Sequence, residues 1–198
     1  MNPKNIELVP PMLFGKYEFG MTKLIKRIVK KGWVICEVGA YIGDHTPLFS
    51  NLTGAYGKVI SIEPQLLHFD LLLKNIALNK LTNVTPVKAA ISSKNGTSTM
   101  YVPSNHSVDG RIYKVKDGVR NKQKTSTTTI DDLLNQYKSV NLIKMDIQGW
   151  EEKALRGARK TIQKKSKLIF NFGVLAKRFK RSWNQSFELL ELCQENWF

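Results

Sequence analysis

Short apolar runs alternate along this chain with stretches of helical periodicity, and that alternation constrains the fold more than any other feature. WVICEV (33–38) is a compact apolar run that stops at glycine, which reads as a buried strand. KVISIE (58–63), VTPVKAAI (84–91), NLIKMDI (141–147) and KLIFNF (167–172) read as further main strands, and TSTMYV (97–102) as an extra one. Pro86 has no N–H to give to a ladder, so the start of its strand belongs near a sheet edge. Between these runs the spacing predicts helices. One covers 19–31, with Leu24, Ile25, Ile28 and Val29 on one face and Gly32 as its stop. A second starts with Thr46 as cap and Pro47 in its first turn. A third opens at Pro64 and reaches Asn79, a short fourth is capped by Thr129, and the last two span 150–163 and 184–196. Strand and helix in this order predict an α/β fold, a mostly parallel sheet with helices on both faces. One domain over 1–198 is expected, with 1–18 as an extension ahead of the core.

Composition narrows the class. The 198 residues are 42% hydrophobic, enough to bury a core, which excludes a disordered chain. Two cysteines, Cys36 and Cys193, exclude a disulfide scaffold and favour a reducing compartment, so a cytoplasmic location is expected. No apolar run approaches the ~20 residues that span a bilayer. The formal net charge is +15. Much of it is clustered: Lys23, Lys26, Arg27, Lys30 and Lys31; then Arg111, Lys114, Lys116, Arg120, Lys122 and Lys124; then eleven basic residues and no acid over 153–187. Such clusters focus a positive field on an anionic partner, or simply make a solvated surface.

In sheets of this kind ligands sit at the carboxyl ends of the strands. The first strand end reads Glu37-Val38-Gly39-Ala40-Tyr41-Ile42-Gly43-Asp44-His45-Thr46. Its glycines allow a sharp turn close to a ligand, and the following helix offers free amides to a carboxylate. The second ends in Glu63-Pro64, an acid able to take both hydroxyls of a ribose. Tyr41 occupies the middle position of a G-x-G-x-x-G pattern and no third glycine follows, which counts against a pyrophosphate. A ligand with a ribose, an amine and a carboxylate fits, as in S-adenosylmethionine. No cluster of His, Asp or Glu has metal-ligand spacing.

VGAYIGDHT, SIEP, LLKNIALNKLTNV, AAIS, TTTIDDLL and LIKMDIQGWEEKALRGA, in this order and spacing, resemble the FkbM family of S-adenosylmethionine-dependent methyltransferases over about residues 24–172. The resemblance implies the Rossmann-like class I methyltransferase fold and S-adenosyl-L-methionine as cofactor. It implies cofactor contacts at Glu37, Gly39, Ala40, Tyr41, Gly43 and Thr46 around the methionine end, at Glu63 and Pro64 for the ribose, and at Ala89 and Ala90 beside the adenine. Asp146 would sit beside the methyl group. Tyr41 stands where the family usually has Asn, and Glu37 where Asp is common. The fold normally closes with a further antiparallel strand pair, which is missing after 196; the chain is either a minimal or truncated version, or a partner covers that edge.

For the chemistry, Asp146 is the leading acid, with Lys144 two residues earlier on the same strand face; the bland alternative for Asp146 is a helix cap. His45 is a candidate base or cofactor contact, or a polar residue at a helix start, whereas His68 reads as a surface residue and His106 as part of a loop over 103–124. The expected reaction is O-methylation of a glycan or small-molecule hydroxyl. Two alternatives stay open: an RNA O-methyltransferase that uses the basic surface, and a non-catalytic module that binds cofactor or RNA. The acceptor is expected to be anionic if the basic segments share the face of the strand ends.

Overall fold

The computed structural model describes residues 18–103, 110–112 and 120–163. In chain order the elements are α1 (Phe19–Ile28), β1 (Val34–Val38), α2 (Thr46–Thr53), β2 (Lys58–Ile62), α3 (Leu66–Leu78), β3 (Val84–Val87), β4 (Ala90–Ile91), β5 (Gly96–Pro103), β6 (Arg120–Thr128), α4 (Ile130–Leu133), β7 (Leu142–Met145), α5 (Glu151–Arg156) and α6 (Arg159–Gln163). The expected strand at 167–172, the helix at 184–196, the extension before 18 and His106 lie outside the described residues.

Among the described residues, four strands form a parallel sheet in the order β3-β2-β1-β7. Side chains alternate across it, so neighbouring residues of one strand feed different cores. Ile35, Val59 and Leu142 pack with Met21, Ile25 and Val29 of the N-terminal segment and with Phe49 of α2. Cys36, Ile60, Ile143 and Met145 pack on the other face with Ile130, Leu134, Ala154 and Ala158. The sheet therefore carries helices on both faces. Cys36 is a core residue, and burial pushes its thiol far above the usual range.

Four sequence expectations need correction. First, 84–91 is two strands in two sheets. β3 sits at the edge of the parallel sheet, where Pro86 needs no partner on its outer side, and the chain then turns at Lys88–Ala89. Ala90 and Ile91 pair instead with Thr127 and Thr128 of β6. Second, the end of the supposed 103–124 loop is β6, which runs antiparallel to β5. Arg120–Thr128 contains no apolar residue, so it shows no hydrophobic alternation; its β-branched threonines were the available signal. Third, 150–163 is two helices. A Cβ on Gly157 would lie 2.2 Å from the Ser92 carbonyl oxygen, so the chain passes close to β4 there and the helix breaks. Fourth, helix starts and stops move. Val29 is extended, so α1 ends before Gly32. Gln65 is the N-cap of α3, because Pro64 is held back by its carbonyl, which accepts from Gln123 Nε2 at 3.1 Å. Thr46 does not cap α2: its hydroxyl is turned to Glu37 and His45 holds the cap position.

Candidate active site

The ends of β1, β2 and β7 surround an open cleft of about 880 Å³, counting the space at its mouth. Glu18 at the N-cap of α1 and residues from α3, β4 and β5 complete its walls. Gly39 forms the turn after β1. Its φ is 77°, and a Cβ there would lie 2.0 Å from the Asp146 carbonyl oxygen, so only glycine lets β1 and β7 end side by side. Asp146 N–H donates to the Val38 carbonyl at 3.0 Å and fixes that juxtaposition.

Eight of the residues expected from sequence line the cleft: Gly39, Tyr41, Glu63, Pro64, Ala89, Ala90, Lys144 and Asp146. Glu63 is 6% exposed and doubly held. Tyr41 N–H donates to its Oε2 at 3.0 Å and Gln65 N–H to its Oε1 at 2.9 Å. Each carboxylate oxygen keeps a second lone pair for a ligand. Holding Glu63 this way requires Tyr41 at φ 53°, an uncommon conformation for a tyrosine. Its ring meets His68 edge-on at 4.4 Å. His68 is therefore not the surface residue expected: it is buried, lines the cleft, and places Nδ1 3.8 Å from Glu63 Oε1.

Five expected residues lie behind the cleft wall. Glu37 is fully buried beneath it, where Oε2 accepts from Thr46 Oγ1 at 2.6 Å and from Ser61 Oγ at 2.8 Å. Burial raises its carboxyl above the usual range despite the nearby Lys144 ammonium. Thr46 is spent on that contact. Ala40 is fully buried and donates its N–H to the Ile62 carbonyl at 2.9 Å. Gly43 serves packing, since a Cβ there would meet Leu72 Cδ1 at 2.8 Å. His45 is 3% exposed, with Nδ1 3.1 Å from Asp44 Oδ2 and Nε2 3.7 Å from Glu18 Oε2. Burial opposes a charged imidazole, but Asp44 beside it outweighs burial and raises His45 above the usual histidine range.

Lys144 is buried under the turn and donates to the Gly39 carbonyl at 3.3 Å. Burial alone would push its ammonium down, yet Asp44, Glu37, Asp146 and Glu18 together hold it above the usual lysine range. A lysine whose charged form is favoured in this way serves as an electrostatic fixture rather than as a base. Asp146 lines the cleft half-buried, with Gln148 Nε2 3.5 Å from its Oδ1. It is not a helix cap: Trp150 occupies that position, and Glu151 Oε1 takes the Ile147 and Gly149 amides.

Sequence reasoning missed Asp44, Glu18 and Gln65. Burial would raise the Asp44 carboxyl, but His45 and Lys144 hold it below the usual range. Glu18, Asp44 and His45 bring potential ligand atoms within 4.8 Å of one another, a grouping that chain spacing hides. Gln65 is 2% exposed, and its Oε1 accepts no hydrogen bond among the described residues. The acid at Asp44, inside the glycine turn, was a readable signal; Glu18 had none, because it reaches the site only through the packing of α1.

The FkbM methyltransferase domain matches residues 37–194, and the chain belongs to that family. A precorrin-6y C5,15-methyltransferase from Geobacter metallireducens GS-15 is 13% identical over 89% of this chain and 68% of its own, with a TM-score of 0.50, and shares the fold. A SAM-dependent methyltransferase from Aquifex aeolicus is 16% identical over 87% of this chain and 76% of its own, with a TM-score of 0.46. A protein-L-isoaspartate O-methyltransferase is 24% identical over 35% of this chain and only 23% of its own length, with a TM-score of 0.34. No curated protein matches the chain. The fold is the Rossmann-like methyltransferase fold and the family is one of methyltransferases, for which the sequence leads to S-adenosylmethionine as the expected cofactor. The cleft fits that group: a doubly held acid for a diol stands beside the apolar Ala89, Ala90, Ile91 and Met100, and the orphaned Gln65 oxygen awaits a donor such as an amino group. Among the described residues, no helix is long and apolar enough to cross a membrane.

Proposed function

We propose that the chain methylates a hydroxyl oxygen of a glycan or small molecule, with the cleft as its cofactor site. When bound, S-adenosylmethionine supplies an electrophilic methyl group on a sulfonium. Glu63 would hold the ribose hydroxyls, Pro64, Ala89 and Ala90 the adenosine walls, and Gly39 and Tyr41 the turn beneath the tail. Asp146, in the cleft lining, would take the proton from the acceptor hydroxyl, and Lys144 would hold the turn and offset the buried acids around it. The observation that carries this reading is the Asp146 carboxylate in the lining of the open cleft, beside a lysine whose charged form the surrounding acids favour.

An RNA acceptor gripped by basic side chains has less support. Lys122 and Lys124 are exposed on β6, whereas Gln123 and Thr125 reach the Pro64 carbonyl on the cleft side. Strand alternation thus turns these two lysines away from the cleft. The test is calorimetry with S-adenosylmethionine and its demethylated product, followed by transfer of a labelled methyl group to pools of glycans, small molecules and RNA. Label in an ether of a hydroxyl compound is expected. Label confined to RNA, or to nitrogen, would overturn the acceptor assignment, and absence of binding would overturn the site.

A further inference from the structure

We propose that Glu18 and Asp44 together receive the α-ammonium group of S-adenosylmethionine, so that a residue ahead of the family-matched region completes the cofactor site. The inference rests on the cleft being that site. The cleft has two chemically different ends. Toward β2 and β4 it offers Glu63, Gln65, Ala89, Ala90 and Met100, which suit an uncharged adenosine. Toward β1 and β7 it is lined by Glu18, Asp44, Lys144 and Asp146, which leaves that end for the amino-acid tail.

The tail end holds more negative than positive charge. Glu18, Glu37, Asp44 and Asp146 surround Lys144, and His45 is the other cation. Lys144 donates to the Gly39 carbonyl, and His45 stands between the two carboxylates, its Nδ1 3.1 Å from Asp44 Oδ2 and its Nε2 3.7 Å from Glu18 Oε2. Among the described residues, Asp44 Oδ1 and Glu18 Oε2 accept no hydrogen bond although both atoms are buried. A buried acceptor without a donor is costly, so this arrangement is built to meet one. An ammonium brings three N–H donors on a single atom and can serve two carboxylates at once. A sulfonium has no N–H, and a carboxylate would be repelled.

Glu18 is held where this requires. It sits at the N-cap of α1 with φ 45° and ψ 46°, a left-handed conformation uncommon for a glutamate. α1 is anchored by Met21 and Ile25 in the core with Phe49 and Leu142, so the acid is carried by a packed element. Burial raises the Glu18 carboxyl more than Lys144 and His45 lower it. The family match begins at residue 37, so Glu18 lies ahead of it and Asp44 within it.

The experiment is calorimetry on the full chain with two ligands: S-adenosylmethionine, and 5′-methylthioadenosine, which keeps the adenosine and lacks the amino-acid tail. Glu18→Gln and Asp44→Asn are each expected to weaken S-adenosylmethionine roughly ten- to hundredfold and 5′-methylthioadenosine by less than about twofold. Retained binding of the tail-less ligand also shows that the variant is folded. Equal loss on both ligands, or no loss on S-adenosylmethionine, overturns the proposal. So does Mn²⁺ alone titrating into the wild type, abolished by Glu18→Gln, with S-adenosylmethionine affinity unchanged; the acids would then be a cation site. Glu63→Gln separates the two readings: unchanged affinity for both ligands in that variant overturns the cleft as cofactor site, whatever the role of Glu18.

Discussion

Glu37 and Glu63 end adjacent strands of the same sheet, both are buried, and they are used differently. Glu37 is turned into the protein, where two hydroxyls satisfy one of its oxygens. Glu63 is gripped by two backbone amides and faces the cleft. Hydroxyl partners come from side chains of α2 and β2, so Glu37 ties those elements together. Amide partners come from the two turns that flank the cleft, so Glu63 is presented by the backbone itself. The comparison teaches that residue type and strand-end position do not assign a role; the source of the hydrogen bonds does.

The largest expected effect tests the inner acid. Glu37→Ala removes the acceptor of Thr46 and Ser61, opens a void, and takes one counter-charge from the buried Lys144. A loss of about 3 kcal/mol in unfolding free energy is expected, read from denaturant titration. A variant with wild-type stability and no cofactor affinity would exchange the roles of the two glutamates. Glu63→Ala is the converse. Cofactor affinity should fall by roughly 1–3 kcal/mol in calorimetry, as a diol loses a charged acceptor, with a smaller change in stability. A collapse in Tm without ligand would make Glu63 a second structural acid.

The charge behind the turn gives a pH dependence. His45 has a folded pKa above the usual 6.5. Its stabilisation is fully present below 6.5 and is lost as pH rises through the folded value, because the folded state holds the proton more tightly than the unfolded one. Asp44 has the opposite sign: its folded pKa lies below the usual 3.8, so its contribution is present above 3.8 and fails only as pH falls through the folded value. Unfolding free energy should therefore decline from pH 6 toward alkaline pH by an amount that His45→Gln removes. An unchanged slope in that variant would place the titrating group elsewhere.

Much of this fold was legible because its parallel strands are short apolar runs closed by glycine or an acid, and buried on both faces they leave little ambiguity. The strand β6 was not, because a strand whose sequence is RNKQKTSTT carries no apolar alternation and is defined only by its register with β5. At the site, position along the chain identified Glu63, Gly39 and Asp146 at the cleft. It did not separate them from Glu37, Gly43 and Thr46, which are equally close in sequence and point into the protein. Glu18, Gln65 and His68 belong to helices or their caps, and their direction is set by packing that no local pattern encodes.

The smallest effect concerns the residue that joins the two acids' neighbourhoods. Tyr41 contributes a backbone N–H to Glu63 and a ring edge to His68. The N–H survives any substitution that keeps the turn, and the turn needs a residue that accepts φ 53°. Asparagine accepts left-handed backbone better than tyrosine does, which favours the variant by a few tenths of a kcal/mol, while the lost ring contact costs about 0.5–1 kcal/mol. The two terms nearly cancel. Tyr41→Asn is therefore expected to change unfolding free energy by less than about 0.5 kcal/mol and cofactor affinity by less than about threefold. Tyr41→Pro tests the other half of the claim, since it removes the N–H and fixes φ negative; it should reduce affinity as far as Glu63→Ala does. If Tyr41→Asn alone matched that loss, the side chain and not the backbone would present Glu63, and the contrast between the two glutamates would rest on a different contact.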